Sequence, residues 1–411
     1  MSRRLVLAFT ALLITLTACD PGVGAAPATT TGAASPADRC AKASARDFDG
    51  DGHDDVAVGN RMLTGGQVSI LSAGKLVHLR IPDLAADAIG SSVALARVNA
   101  DGCADVVVGA PYTKVDGGHS AGAVYVLYGG NAAPYRKIVS PNPQPGARFG
   151  AAVAAHGGTI AIGAPEENDS GVQQAGAVYV TDGDTTPPRR ITQETDGVPG
   201  NSEPHDGFGA TVAVGPLPDG RTGLLVGSPR ERDDGTGRQL ANGIGPYDGA
   251  VTMIADVRAG RLEAVKHDGG SECELGDAVA YVPGGTFAAT EGQCGNVLVL
   301  DHARILDTVE CGACGSSSTG SALAAAPDGR VAVAWGDSAQ VLSMREGVPG
   351  TVVPTLPGGN LPVAFYGTKL VFGMPQEAPP LGVTVFDPAT GRSEQVMSAI
   401  RDVEGVGEAL G

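Results

Sequence analysis

Along almost the whole chain, apolar residues come in short runs broken by turn residues, as in VAVGN from Val56, GQVSIL from Gly66, GAVYV from Gly122 and GNVLVL from Gly295. Runs of this length bounded by Gly, Pro, Asp and Asn read as strands. The exception lies at the start. Arg3 and Arg4 precede an apolar stretch from Leu5 to Leu16, which is too short to cross a membrane as a helix and reads as a secretion signal over residues 1–18. Residues 20–38, DPGVGAAPATTTGAASPAD, offer almost nothing to bury and read as a flexible tether. The folded region is expected from residue 39 to 411.

Within that region the strand pattern repeats, and repeats change the choice of fold. A unit opens with a hydrophobic-Gly pair, continues through an apolar strand ending in Gly-Ala-Pro or a variant, crosses a loop, and resumes with a strand beginning Gly-Ala-Val. Clear copies are Ile89-Gly90 with Gly109-Ala110-Pro111 and GAVYV from Gly122, and Phe149-Gly150 with Gly163-Ala164-Pro165 and GAVYV from Gly176. A third is Phe208-Gly209 with Gly227-Ser228-Pro229 and GAVTM from Gly249. Weaker copies begin at Leu275-Gly276, Thr319-Gly320 and Gly359-Asn360. A first unit, holding VAVGN and GQVSIL, lacks an opening pair, while Val406-Gly407-Glu408-Ala409-Leu410 is an opening with no unit behind it.

This pattern resembles the FG-GAP repeats of integrin α-subunits and of bacterial exported proteins, over roughly residues 45 to 411. The resemblance implies an all-β fold, a seven-bladed β-propeller of four-stranded antiparallel blades. Short strands with frequent Gly turns suit such a ring independently. The orphan ends suggest that residues 405–411 complete blade 1 and close the ring; the alternative is that Ala41 to Arg46 supplies the missing strand.

Composition agrees with many turns: 62 Gly and 28 Pro against 4% aromatic and 18% charged residues argue against helical bundles, and 42% hydrophobic residues argue against disorder. A net charge of −17 would repel a phosphate backbone, so nucleic acid is not expected as a partner. Leu16-Thr17-Ala18-Cys19 resembles the bacterial lipobox, which implies lipidation of Cys19, membrane attachment only through that anchor, and a mature chain facing the extracellular or periplasmic side. A plain secreted protein is the alternative. Six further cysteines, Cys40, Cys103, Cys273, Cys294, Cys311 and Cys314, form an even set expected to pair as disulfides in an exported protein, with the connectivity open.

The most specific chemistry is Asp47-Phe-Asp49-Gly-Asp51-Gly52-His53-Asp-Asp55. Carboxylates at positions 1, 3, 5 and 9 with a carbonyl from His53 at position 7 set hard oxygens around one centre, as Ca²⁺ requires, and Gly52 permits the sharp turn. Val58 stands where an EF-hand would place its bidentate Glu, so this is a hairpin calcium loop, as in FG-GAP repeats. The metal-free alternative is an Asp/Gly-rich turn. A second copy, with Asn99, Asp101, Cys103 and Asp105, carries Arg97 at position 1, which could hold a second ion or replace it with an internal salt bridge. No nucleophile elbow, paired-histidine metal spacing or Walker-type phosphate loop occurs, so no catalysis is expected. The segments 112–121, 166–175 and 230–248 are long and polar, and in this family they lie opposite the calcium loops, on the face where integrins recognise ligands. Tyr112, His119, Glu166, Arg230, Arg232 and Tyr247 are the candidate recognition residues there. The expected function is a calcium-stabilised, monomeric surface module that binds a protein or glycan. An exported hydrolase or lyase and an envelope scaffold or assembly factor are the alternatives.

Overall fold

Each repeat folds as one four-stranded antiparallel sheet, and seven such sheets are present. The computed structural model describes residues 40, 43–60, 66–79, 81, 89–130, 135–183, 187–232, 247–310, 320–335, 338–343, 351–353, 362–373, 382–397 and 409–410. The secretion signal, Cys19, the tether, Cys311 and Cys314 lie outside the described residues.

Blade 2 runs through Ser92–Ala96, Asp105–Ala110, Ala123–Leu127 and Tyr135–Ile138. Blade 3 uses Ala152–His156, Thr159–Ala164, Ala177–Asp182 and Arg189–Ile191, and blade 4 uses Thr211–Pro216, Thr222–Ser228, Ala250–Ile254 and Ala264–Asp268. Blades 5, 6 and 7 follow from Leu275, Ser321 and Val363 in the same order. Second strands such as Asp105–Ala110 and Thr159–Ala164 are buried at every position, because a neighbouring blade covers each face. That is why they read as continuous apolar runs rather than alternating ones. Outer strands such as Ile305–Glu310 are mostly exposed.

The apolar clusters straddle neighbouring blades. Val107, Val124 and Ile138 of blade 2 pack with Phe149, Ile160 and Tyr179 of blade 3, and Val178 and Ile191 of blade 3 pack with Phe208, Val212 and Leu224 of blade 4. The two glycines of the repeat meet at this boundary. A Cβ on Gly109 would lie 2.0 Å from the carbonyl oxygen of Gly150, and one on Gly163 would lie 2.0 Å from that of Gly209. The Gly of Gly-Ala-Pro therefore faces the Gly of the next blade's opening pair, and only glycine allows the blades to come this close. Phe149 and Phe208, the aromatic halves of those pairs, are fully buried and bridge to Gly122 and Gly176 of the preceding blade.

The chain's end closes the ring. Ala409–Leu410 pairs with the strand Val56–Asn60, placing Leu410 opposite Val58 and Ala409 opposite Gly59, so blade 1 runs Ala409–Leu410, Val56–Asn60, Gln67–Ser72 and Lys75–Leu79. The competing expectation fails: Ala43 to Arg46 form a turn instead of a strand. Two disulfides, Cys40–Cys103 and Cys273–Cys294, resolve part of the open connectivity.

Candidate functional site

A four-stranded meander puts its first and third turns at one end and its second turn at the other, so the Asp47–Asp55 loop and the 112–121 and 166–175 loops lie on opposite faces. In the first, Asp47 and Asp55 are fully buried, and carboxylate oxygens of Asp47, Asp49 and Asp55 all lie within 4.8 Å of one another. Backbone amides orient them. Gly50 N and Gly52 N donate to the two oxygens of Asp47 at 2.7 and 2.8 Å, and Phe48 N donates to Asp55 Oδ2 at 2.7 Å. Ser72 Oγ, from the neighbouring strand, donates to Asp49 Oδ2 at 2.9 Å. Gly52 sits at φ +89°, where a side chain would strain the turn.

Asp55 Oδ1 is buried with no hydrogen-bond partner. Burial pushes the Asp55 carboxyl up to about 6, against the Phe48 hydrogen bond, and the nearby charges of Asp49 and Asp47 add to the rise. Three close carboxylates, one with an empty buried oxygen, fit a hard cation, which would supply the missing positive charge. Asp51 stands apart from the three; it is exposed and accepts from His53 N at 2.8 Å.

In the second loop the carboxylates accept from the protein's own amides. Val98 N and Asn99 N donate to Asp105 Oδ2 at 2.8 and 3.1 Å, and Gly129 N donates to Oδ1 at 3.0 Å. Asn99 Nδ2 donates to Asp101 Oδ2 at 3.0 Å. Arg97 reaches out of the loop, donating to the carbonyls of Ala43 and Ser44. Cys103 is held in its disulfide, so this loop anchors residue 40.

On the opposite face the candidate residues fall into two groups. Arg148 links Tyr112 and Glu166: its guanidinium lies 5.3 Å from the Tyr112 ring centroid and its Nη1 is 3.0 Å from Glu166 Oε1. Arg232 stacks on Tyr247 at 4.1 Å, while Arg230 and His119 are exposed. Arg148 carries no motif beyond its place before Phe149-Gly150, and sequence reasoning missed it. Beneath blade 3's loop a buried network holds it rigid: Tyr179 Oη donates to Glu167, Arg190 Nε donates to Glu167 Oε1 at 2.6 Å, and Arg190 Nη1 reaches Asp169 Oδ1 at 3.1 Å.

Family models described as FG-GAP repeat match residues 42–71 and 89–127, and another of the same description matches 135–181. Those matches fall on blades 1 to 3 of the seven-bladed ring. The chain is a β-propeller with FG-GAP repeats in these blades. Integrin alpha-PS2 of Drosophila melanogaster is 31% identical to this propeller over 212 residues, 44% of the chain, which spans 14% of that protein's length. Among solved structures, a putative 6-phosphogluconolactonase from Bacteroides fragilis NCTC 9343 superposes with a TM-score of 0.53 at 16% identity, covering 88% of this chain and 98% of that one. The periplasmic gluconolactonase PpgL of Pseudomonas aeruginosa gives 0.53 at 15% identity, covering 86% and 98%. At such identity the likeness extends to the FG-GAP propeller's fold alone.

Proposed function

We propose that this FG-GAP propeller is a binding or adhesion module, exported and anchored through lipid on Cys19, that uses the loop face of blades 2 to 4 to hold a protein or glycan without catalysis. The observation that supports it is the ordered Tyr112–Arg148–Glu166 group, with Arg232 stacked on Tyr247 in the corresponding loop of blade 4. Aromatic rings braced by arginines present large, rigid contacts at low entropic cost, the composition of binding hot spots. Ca²⁺ in the Asp47, Asp49 and Asp55 cluster stabilises the blade without touching a ligand, because that loop is on the far face. Two disulfides fit an oxidising compartment.

The test is capture from envelope extract and on a glycan array, using the 39–411 chain and its Tyr112→Ala, Arg148→Ala and Arg232→Ala variants. A ligand retained by the parent and lost by the variants supports the reading. A ligand retained equally by all four, or turnover of a captured small molecule, overturns it in favour of another face or of an exported hydrolase or lyase.

A further inference from the structure

The junction between two loops on the recognition face recurs from blade to blade, and its chemistry changes. One loop crosses into a blade just before the opening pair; the other joins that blade's second and third strands. In blade 3, Gln144 of the crossing loop exchanges hydrogen bonds with Asn168 of the other, at 3.0 and 3.1 Å. In blade 5, Cys273 and Cys294 join the same two loops covalently. In blade 4 the crossing loop brings Glu203 and Asp206 against Glu231, with one carboxylate oxygen of each within 4.8 Å of the others and all three side chains buried. Asp206 stands two residues before Phe208, as Cys273 stands before Leu275 and Ala147 before Phe149.

Three buried carboxylates repel, so something must compensate them. Blades 3 and 4 meet this carboxylate with different side chains. Glu167, the counterpart of Glu231, is met by the Tyr179 hydroxyl and the Arg190 guanidinium. Blade 4 has Thr252 in place of Tyr179 and Lys266 in place of Arg190, opposite each other in the same register. Lys266 Nζ lies 3.6 Å from Glu231 Oε1 but 3.2 Å from Asp268 Oδ1, so one ammonium is shared between the cluster and a fourth carboxylate. Burial and the Glu231 charge push the Asp206 carboxyl upward.

A separate observation marks where a ligand belongs. Gln193 is 3% exposed, and its Nε2 donates to Glu231 Oε2 at 2.7 Å. Its carbonyl Oε1, on the same planar amide, is buried with no hydrogen-bond partner. The carbonyl of an amide bonded to Glu231, together with the three clustered carboxylates, makes an all-oxygen set of hard donors, the chemistry of Ca²⁺ rather than of zinc or copper. We propose that Glu203, Asp206, Glu231 and the Oε1 carbonyl of Gln193 form a buried site for Ca²⁺, which ties the crossing loop to the second-to-third-strand loop of blade 4 as the disulfide does in blade 5. This site is independent of the Asp47–Asp55 loop and lies on the opposite face.

The experiment uses the 39–411 chain carrying Asp55→Asn, which removes the first-loop carboxylate, and adds Asp206→Asn or Glu203→Gln. Asn at 206 keeps an acceptor for Glu203 N, which donates to Asp206 Oδ2 at 2.7 Å. Equilibrium dialysis with Ca²⁺ is expected to show one equivalent fewer in the double variants, or binding weakened by more than the roughly 10- to 100-fold that loss of an outer-shell partner costs. Melting in chelator is expected to be unchanged or raised by Asp206→Asn, because a repelling charge has gone, while the calcium-induced rise shrinks. Equal Ca²⁺ binding with and without the added substitution overturns the proposal. So does an equal loss of melting temperature in calcium and in chelator, which is what a purely structural carboxylate would give. If one double variant does not fold, the other carries the same comparison, and the outcome does not depend on whether the first loop binds metal.

Discussion

The spacing of the blades rests on glycine pairs, and Gly163→Ala measures how firmly. The new Cβ would stand 2.0 Å from the carbonyl oxygen of Gly209, where ordinary contact begins near 3.4 Å, and 3.3 Å from the Cβ of Ala152. Blades 3 and 4 must therefore separate by about 1.4 Å at that point. Neither partner can swing away, because both are backbone: Gly209 N donates to Gly227 O at 3.2 Å, and Gly163 lies inside the Thr159–Ala164 strand. A gap of this size forfeits a large part of each dispersion contact along the cluster of Val178, Ile191, Phe208 and Val212. Overpacking of a core costs about 1–3 kcal/mol, and this site belongs at the upper end. About 3 kcal/mol corresponds to a fall in melting temperature of roughly 6 to 12 °C on the scale of mid-sized domains.

Scanning calorimetry on Gly163→Ala beside Gly260→Ala isolates the cause. Gly260 has no heavy atom within 4 Å of a built Cβ, so its substitution tests only the loss of a glycine. It is expected to stay within about 0.5 kcal/mol of the parent. If Gly163→Ala melts with Gly260→Ala, the contact with Gly209 does not set blade spacing, and the reading of the Gly-Ala-Pro motif as a close-approach device is wrong.

Removing residues 405–411 takes away the partner of Val58 and Gly59 and leaves blade 1 with an open edge; melting should fall markedly, each lost hydrogen bond counting for roughly 0.5–1.5 kcal/mol, and an unchanged value would refute closure. Asp49→Ala is expected to lower melting in calcium and leave it nearly unchanged in chelator, since Asp49 is exposed and accepts only from Ser72 Oγ and Asp51 N among the described residues; equal losses in both would contradict metal binding. Asp55 gives a pH dependence with a definite sign. Its folded carboxyl titrates near 6 against an ordinary 3.8, so in chelator the folded chain holds a proton the unfolded chain has lost, and stability falls as pH rises from about 4 through about 6. Asp105, also near 6, adds in the same direction. Calcium needs ionised Asp55, so affinity in the parent should weaken by up to about tenfold per pH unit below 6. Calorimetric titration at pH 5 and 7 reads this, and equal affinities would rule Asp55 out as a ligand.

The ring was legible in the chain because the Gly-Ala-Pro and Phe-Gly pairs mark one contact repeated around it, and the orphan ends at Val56 and Leu410 marked its seam. The two calcium-type loops were legible as motifs but not as environments. Asp55 and Asp105 hold the same motif position, yet Asp105 Oδ1 receives Gly129 N from a different hairpin and Asp55 Oδ1 receives nothing. That difference depends on how the next turn folds, which spacing does not encode. Arg148, Gln193, Glu203 and Asp206 were invisible for a related reason: each sits in an unremarkable polar loop and acquires meaning only when the ring brings a crossing loop beside a strand-to-strand loop.

The changing chemistry of that junction bears on where the protein can be complete. Blade 3 joins its loops with neutral amides, which hold in any compartment. Blade 5 uses a disulfide, which persists only where thiols are oxidised. Blade 4, on the reading above, uses a calcium ion bound by buried carboxylates, and extracellular modules of this kind need roughly 10⁻⁴ to 10⁻³ M of it. Cytosol supplies neither oxidant nor calcium at that level, so the face over blades 4 and 5 would be locked only after export, when both conditions arrive together. On this face the order of loss in vitro then separates the locks: chelator loosens the blade 4 junction and spares that of blade 5, and reductant does the converse, each leaving the Tyr112–Arg148–Glu166 group of the neighbouring loops in place.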